Sequence, residues 1–75
     1  MRIFLEIFKE QSSEEMEKGV PQEFIRKDVY DLSKEEIINL KNQIVQALGW
    51  DKYKAQIHYC YNDEEPTKPC EIEEI

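Results

Sequence analysis

Residues 31–49 read DLSKEEIINLKNQIVQALG, and this stretch predicts a helix whose two ends are both marked. Ser33 is a favoured N-cap residue, and Glu36, three positions later, completes a capping box. Gly49 is typical of the left-handed residue that ends a helix. The stretch therefore predicts one helix over residues 34–48.

The apolar residues of this helix predict which side it buries. At helical spacing, one continuous stripe is formed by Ile37, Leu40, Ile44, Ala47 and Leu48. A second apolar patch, Ile38 and Val45, lies to one side of that stripe, beyond Lys41. We expect the stripe to cover one face of a sheet, with the methylene groups of Lys41 lying between the two patches.

Alternating side chains before and after the helix predict strands. Before the helix, RIFLEIFK and EFIRKDVYD predict strands at residues 2–9 and 23–31. After it, YKAQIHYCY predicts a strand at 53–61, and CEIEEI predicts an acidic edge strand at 70–75. The polar segment 10–21 between the first two strands predicts a loop.

Residues 1–75 therefore predict a single small domain of the α+β class. The expected order is strand, strand, helix, strand, strand. We expect a small, mostly antiparallel sheet of three to four strands with the helix on one face. The first strand carries apolar residues on both of its sides, and one helix covers only one side of a sheet. The second face is therefore expected to expose apolar residues, which is typical of an association surface.

Composition restricts the class of partner. Seventeen acidic and ten basic residues give a net charge of −7. Phosphate backbones repel such a chain, so we expect no direct binding to nucleic acid. No segment is apolar enough for a signal peptide or a membrane span, so we expect a cytoplasmic protein without membrane association. The acidity suits a basic partner surface instead.

The segment HYCYNDEEPTKPC, from His58 to Cys70, contains the chain's one histidine and both of its cysteines. Cys60 and Cys70 are equidistant from Glu65, so a hairpin centred there would bring the two thiols together. His58 and Cys60 point to the same side of their strand and, with Cys70, are candidate metal ligands. The close cysteine pair of most structural zinc sites is missing, however. A metal site, a disulfide and two free thiols all remain open.

The sequence favours a non-catalytic protein–protein interaction module over an enzyme, and it indicates no cofactor, because no nucleophile–base pair or glycine-rich loop is present. The expected partner is another protein, a second copy of the chain, or both. One form of this function is a small acidic inhibitor or adaptor that binds a basic surface. The alternative is a small metal-binding or thiol-based regulatory protein that uses His58, Cys60 and Cys70. The candidate contact residues of the interaction module are Phe4, Phe8, Asp63, Glu64 and Glu65.

Overall fold

A computed structural model describes residues 1–61 and 67–75 of the chain. Along the sequence its elements are β1 (Arg2–Lys9), α1 (Ser13–Glu17), β2 (Phe24–Asp28), α2 (Lys34–Leu48), β3 (Tyr53–Cys60) and β4 (Glu71–Glu74). The strands form one antiparallel sheet in the order β2-β1-β3-β4. The predicted α+β class, with an antiparallel sheet and one main helix, is confirmed. Within the described ranges, no helix combines the length and apolar character needed to cross a bilayer.

The segment 10–21 differs from its predicted loop because it contains the short helix α1. Ser12 caps this helix: its hydroxyl accepts a hydrogen bond from the backbone N–H of Glu15. None of the helical residues is buried. The apolar periodicity that reveals an amphipathic helix is therefore missing from this segment.

Two strands are shorter than predicted. β2 ends at Asp28, because the Asp28 carboxylate accepts a hydrogen bond of 3.0 Å from the backbone N–H of Tyr30 and the chain turns there. Val29, at the start of this turn, is buried. β4 begins at Glu71, so Cys70 lies just before the strand and not within it.

The hydrophobic core lies between α2 and one face of the sheet. Across β1 and β3, Leu5 pairs with Ile57 and Ile7 pairs with Ala55, so these four side chains project from the same face. The core cluster consists of Leu5, Ile7, Val29, Ile37, Val45, Ala55 and Ile57. Among residues 1–61 and 67–75, no second helix of comparable length is present to cover the other face of the sheet.

The side of α2 that is buried differs from the predicted stripe. Its buried residues are Ile37, Lys41 and Val45, which follow one another at intervals of four residues. Leu48, which the stripe included, is 49% exposed. A lysine occupies the middle of the buried side because its ammonium lies 5.6 Å from the centre of the Tyr53 ring. The ring attracts the charge while the methylene groups pack, so the periodicity of apolar residues alone gave the wrong centre.

Both predicted ends of α2 are confirmed. The Ser33 hydroxyl accepts a hydrogen bond from the backbone N–H of Glu36, and the Glu36 carboxylate accepts one from the backbone N–H of Ser33, both at 3.2 Å. Gly49 ends the helix with a φ of 69°, in the left-handed region. The start of the helix is also tied to the edge of the sheet, because Lys34 pairs with Glu73 of β4, which also accepts a hydrogen bond from the Tyr59 hydroxyl.

Replacing the helix cap provides a test of this fold. We expect Ser33→Ala to lower the free energy of unfolding by about 1 kcal/mol, because the backbone N–H of Glu36 loses the Ser33 hydroxyl as its acceptor. Ser12→Ala is the matched control, since Ser12 caps a five-residue helix that buries nothing. Urea denaturation measures both. Equal losses in the two variants would contradict the assignment of α2 as the helix that holds the core.

Candidate functional site

The face of the sheet opposite α2, called the open face below, carries the side chains of chemical interest. Residues paired across antiparallel strands project from the same side. Phe4 pairs with His58, and Glu6 pairs with Gln56 on β3 and with Arg26 on β2. Together with their cross-strand neighbours, the open face comprises Arg2, Phe4, Glu6, Phe8, Phe24, Arg26, Asp28, Lys54, Gln56, His58, Cys60, Ile72 and Glu74.

A buried carboxylate lies at the centre of the open face. Glu6 is only 3% exposed, although it projects from the face opposite α2. Its Oε2 accepts a hydrogen bond of 2.8 Å from Arg26 Nε, and its Oε1 accepts one of 2.8 Å from Gln56 Nε2. Burial by itself would raise the pKa of Glu6. The hydrogen bonds from Gln56, His58 and Arg26 outweigh it, so the pKa lies below the ordinary value of 4.5 and the carboxylate is ionised at neutral pH.

This carboxylate determines which nitrogen of His58 carries a proton. His58 Nδ1 lies 3.3 Å from Glu6 Oε2, and an ionised carboxylate can only accept, so Nδ1 is the donor. In the neutral ring the lone pair then belongs to Nε2. Nε2 is buried and has no hydrogen-bond partner among the described residues. A buried acceptor without a partner is costly, and a metal ion would satisfy it.

Two thiols lie beside the His58 ring. The ligand atoms of His58, Cys60 and Cys70 all lie within 4.8 Å of one another. Around a tetrahedral zinc ion, nitrogen and sulfur ligands lie about 3.5–4 Å apart, given their bond lengths to the metal. The three atoms would therefore need to move only slightly inward. Cys70 lies outside β4, so a rotation of its side chain can supply part of that movement.

Contacts across the β3–β4 hairpin hold the Cys70 segment next to the end of β3. The Tyr61 hydroxyl donates a hydrogen bond of 3.4 Å to Glu71. The ammonium of Lys68 lies 4.1 Å from the centre of the Tyr61 ring. Both arms of the hairpin are thus in contact near the two cysteines.

Cys60 and Cys70 are both free thiols. Desolvation and the neighbouring Cys60 thiol raise the pKa of Cys70. In the metal-free protein most Cys70 thiols are consequently protonated at neutral pH, and only the minor thiolate fraction is nucleophilic. A metal ion binding here would have to displace protons from sulfur.

Of the residues proposed from the sequence, the structure brings His58, Cys60 and Cys70 together. Phe4 and Phe8 both lie on the open face. The Phe4 ring is tilted against the His58 ring with centroids 6.1 Å apart, and Phe8 stacks on Phe24 at 4.9 Å. The acidic tip proposed from the sequence lies outside the described residues: Asp63, Glu64 and Glu65.

From the sequence, no role was assigned to Glu6, Arg26 or Gln56. One signal for Glu6 was present, since it is the single charged residue between the two phenylalanines of an otherwise apolar strand. When a charged residue lies at the centre of a strand whose two sides are otherwise apolar, it is expected to be buried and to pair with a polar or charged group. Arg26 and Gln56 carry no comparable signal, because their pairing with Glu6 depends on strand register.

Comparison of the chain with protein-family models, curated proteins and solved structures gave no match. A functional assignment therefore rests on the geometry of the chain. One imidazole nitrogen and two sulfur atoms form a donor set that suits thiophilic ions such as Zn²⁺ and Cu⁺ and is poorly suited to Mg²⁺ or Ca²⁺. The geometry thus favours the metal-binding hypothesis, which the sequence had placed second.

Because the Glu6 carboxylate is buried and ionised, we expect the free energy of unfolding to fall at acidic pH. Because the folded-state pKa of Glu6 is depressed, its contribution is complete above the unfolded value of 4.5 and is lost as the pH falls through the folded value. We expect Glu6→Gln to cost about 1–3 kcal/mol at neutral pH, because Arg26 and His58 lose a charged acceptor. The variant should also lose less stability than the wild type on acidification. Urea denaturation over a series of pH values measures this.

Glu73→Gln is the matched control for that experiment. Hydrogen bonds from Lys34 and Tyr59 also lower the pKa of Glu73. Water screens this carboxylate, however, so the substitution should change stability little. The same acid sensitivity in wild type and Glu6→Gln would show that Glu6 does not cause the loss of stability at acidic pH.

Proposed function

We propose that the protein is a small metal-binding, thiol-based regulatory protein that holds one Zn²⁺ ion through His58, Cys60 and Cys70. The observation that carries the proposal is the convergence of their ligand atoms within 4.8 Å of one another. The lone pair of His58 Nε2 supports it, because that atom is buried and has no hydrogen-bond partner among the described residues.

The surroundings of His58 resemble those of a metal ligand. Ligating histidines usually donate their second ring N–H to a carboxylate, which fixes the ring and makes the ligating nitrogen more basic. Glu6 is placed for that role at 3.3 Å from Nδ1. Arg26 and Gln56 hold Glu6 in turn, through hydrogen bonds from two neighbouring strands. The imidazole is thus oriented before any metal arrives.

Charge also supports a divalent cation at this site. Two thiolates and a neutral imidazole would balance the charge of Zn²⁺, and the net charge of −7 attracts cations to the molecule. Bound zinc would join Cys60, at the end of β3, to Cys70, just before β4. Binding and release of the ion would therefore change the structure of the β3–β4 hairpin first. The zinc-bound and zinc-free forms would be the two states of a regulatory protein.

Zinc titration of the reduced protein tests the proposal. We expect saturable binding of one Zn²⁺ per chain by calorimetry, and sulfur-to-cobalt charge-transfer absorption when Co²⁺ replaces zinc. His58→Ala, Cys60→Ser and Cys70→Ser should each lose this binding, because two remaining ligands form a weak site. Circular dichroism checks that each variant is folded. Binding should weaken as the pH falls, because thiol protons compete with the ion.

Two further variants separate metal binding from general damage. Glu6→Gln keeps all three ligands but loses the carboxylate behind His58, so the affinity should fall by about 10–100-fold. Glu73→Gln changes a carboxylate of the same sheet that does not contact His58, and its affinity should equal that of the wild type. A wild-type chain without saturable zinc binding, or cysteine variants with wild-type affinity, would refute the proposal.

A protein-interaction module remains the second candidate function. Phe24 and Ile72 on the open face are 44% and 50% exposed. They flank Phe4 and Phe8, which the sequence proposed as contact residues. α2 leaves this face uncovered, and α1 buries no residue of its own. The acidic chain would favour a partner with a basic surface.

Site-specific photocrosslinking tests this second candidate. A photoreactive phenylalanine analogue at position 24 should form adducts with one basic protein in the cells that make this chain. The same analogue at position 48 is the control, because Leu48 is similarly exposed but belongs to α2. Adducts at both positions alike, or at neither, would argue against a docking surface on the open face.

A further inference from the structure

The two cysteines lie one register step beyond the last residue pair of β3 and β4. The register of β3 and β4 pairs Gln56 with Glu74 and continues to the pair Tyr59 and Glu71. One more step along the same register places Cys60 opposite Cys70. The Cα atoms of directly opposed residues lie about 4.5–5.5 Å apart in antiparallel strands, within the range that a disulfide spans.

The sulfur atoms are close enough to react with each other but are not bonded. They lie within 4.8 Å of each other, and both thiols are free. A disulfide needs a sulfur–sulfur distance of about 2 Å, which rotation of the two side chains can approach when the Cα atoms are already in range. The pair is therefore positioned either for a shared metal ion or for a covalent bond.

Exposure distinguishes the two thiols. Cys70 is exposed, whereas Cys60 is half-buried at the end of β3. By residue exposure, a small oxidant in solution has easier access to Cys70 than to Cys60. Cys60 is placed as the resolving cysteine, which attacks an oxidised partner.

We propose that Cys60 and Cys70 form a redox switch on the metal site: a peroxide oxidises the pair to a disulfide and thereby releases Zn²⁺. The inference rests on the proposed metal binding and specifies how that binding is regulated. The same two sulfur atoms cannot be thiolate ligands and a disulfide at once. His58 alone would then remain as a ligand among the described residues of the cluster, which is too few to retain the ion.

The step balances with the peroxide as a two-electron oxidant. The Cys70 thiolate attacks one peroxide oxygen, a sulfur–oxygen bond forms, the oxygen–oxygen bond breaks, and the alkoxide or hydroxide takes up a proton. The Cys60 thiolate then attacks the Cys70 sulfur, and hydroxide leaves and is protonated to water. The two sulfur atoms lose two electrons, the peroxide gains them, and Zn²⁺ leaves with its charge unchanged.

The experiment treats the zinc-loaded chain with hydrogen peroxide. Release of zinc is followed with a chromophoric chelator, and the protein is weighed by mass spectrometry. We expect one Zn²⁺ released for each chain that loses the mass of two hydrogen atoms. A thiol reductant should restore both the original mass and the capacity to bind zinc.

Variants assign the roles of the residues. His58→Ala keeps both cysteines, so the metal-free variant should still form the disulfide. Cys60→Ser leaves Cys70 without a resolving partner, so a sulfenic-acid probe should label Cys70. The reciprocal variant Cys70→Ser should be labelled several-fold less, because Cys60 is less accessible.

The outcomes separate this inference from the proposed function. A wild-type chain that fails to bind zinc overturns both. A chain that binds zinc but keeps it under peroxide, or reaches sulfinic acid without a disulfide, overturns the switch and leaves metal binding intact. Zinc release that the reductant does not reverse also overturns the switch.

Discussion

The carboxylate of Glu6 constrains the arrangement of three strands at once. It lies on β1, and its hydrogen-bond donors come from β2 and β3 on either side. A slip of β1 by one residue would turn this charge into the apolar core and move Leu5 to the open face. An ionised group in the core would cost far more than the loss of its hydrogen bonds. Glu6 thus helps to select a single register, and that register brings the open-face residues together.

The two faces of the sheet have different roles: one carries the hydrophobic core, and the other carries the chemically reactive side chains. Under α2, paired aliphatic residues such as Leu5 and Ile57 provide the hydrophobic core. On the open face, β3 presents His58 and Cys60, which lie one and three positions after the core residue Ile57. Since neither cysteine belongs to the core cluster, changes at the thiols need not disturb the packing that keeps the chain folded.

Sequence alone predicted the features that depend on local pattern. The capping box at Ser33 and the glycine at position 49 fixed the ends of α2, and alternation revealed four strands. The symmetry of the hairpin about Glu65 anticipated the proximity of the two thiols. These signals are carried by residues close together in the chain, so strand register and long-range packing were not needed to find them.

The features that the sequence did not predict depend on contacts between residues far apart in the chain. The contact between Glu6 and His58 joins residues 52 positions apart and follows from the β1–β3 register. Burial of Lys41 required a ring at Tyr53 to receive its charge, and no periodicity of apolar residues encodes that partner. The lack of a partner for His58 Nε2 among the described residues, which supports the proposed metal site, becomes visible only in the folded structure.

The pairing of β1 with β3 has a practical consequence for handling the protein. Arg2 lies opposite Cys60, so a polyhistidine tag fused at Met1 would emerge beside the thiols and offer competing imidazoles. The backbone N–H of Ile75 donates a hydrogen bond to the carbonyl oxygen of Ala55. Ala55 precedes Cys60 by five residues on β3, which is about 17 Å at the usual rise of a strand. Affinity purification through a cleavable peptide, or through a tag placed after Ile75, keeps foreign ligands away from the cysteines.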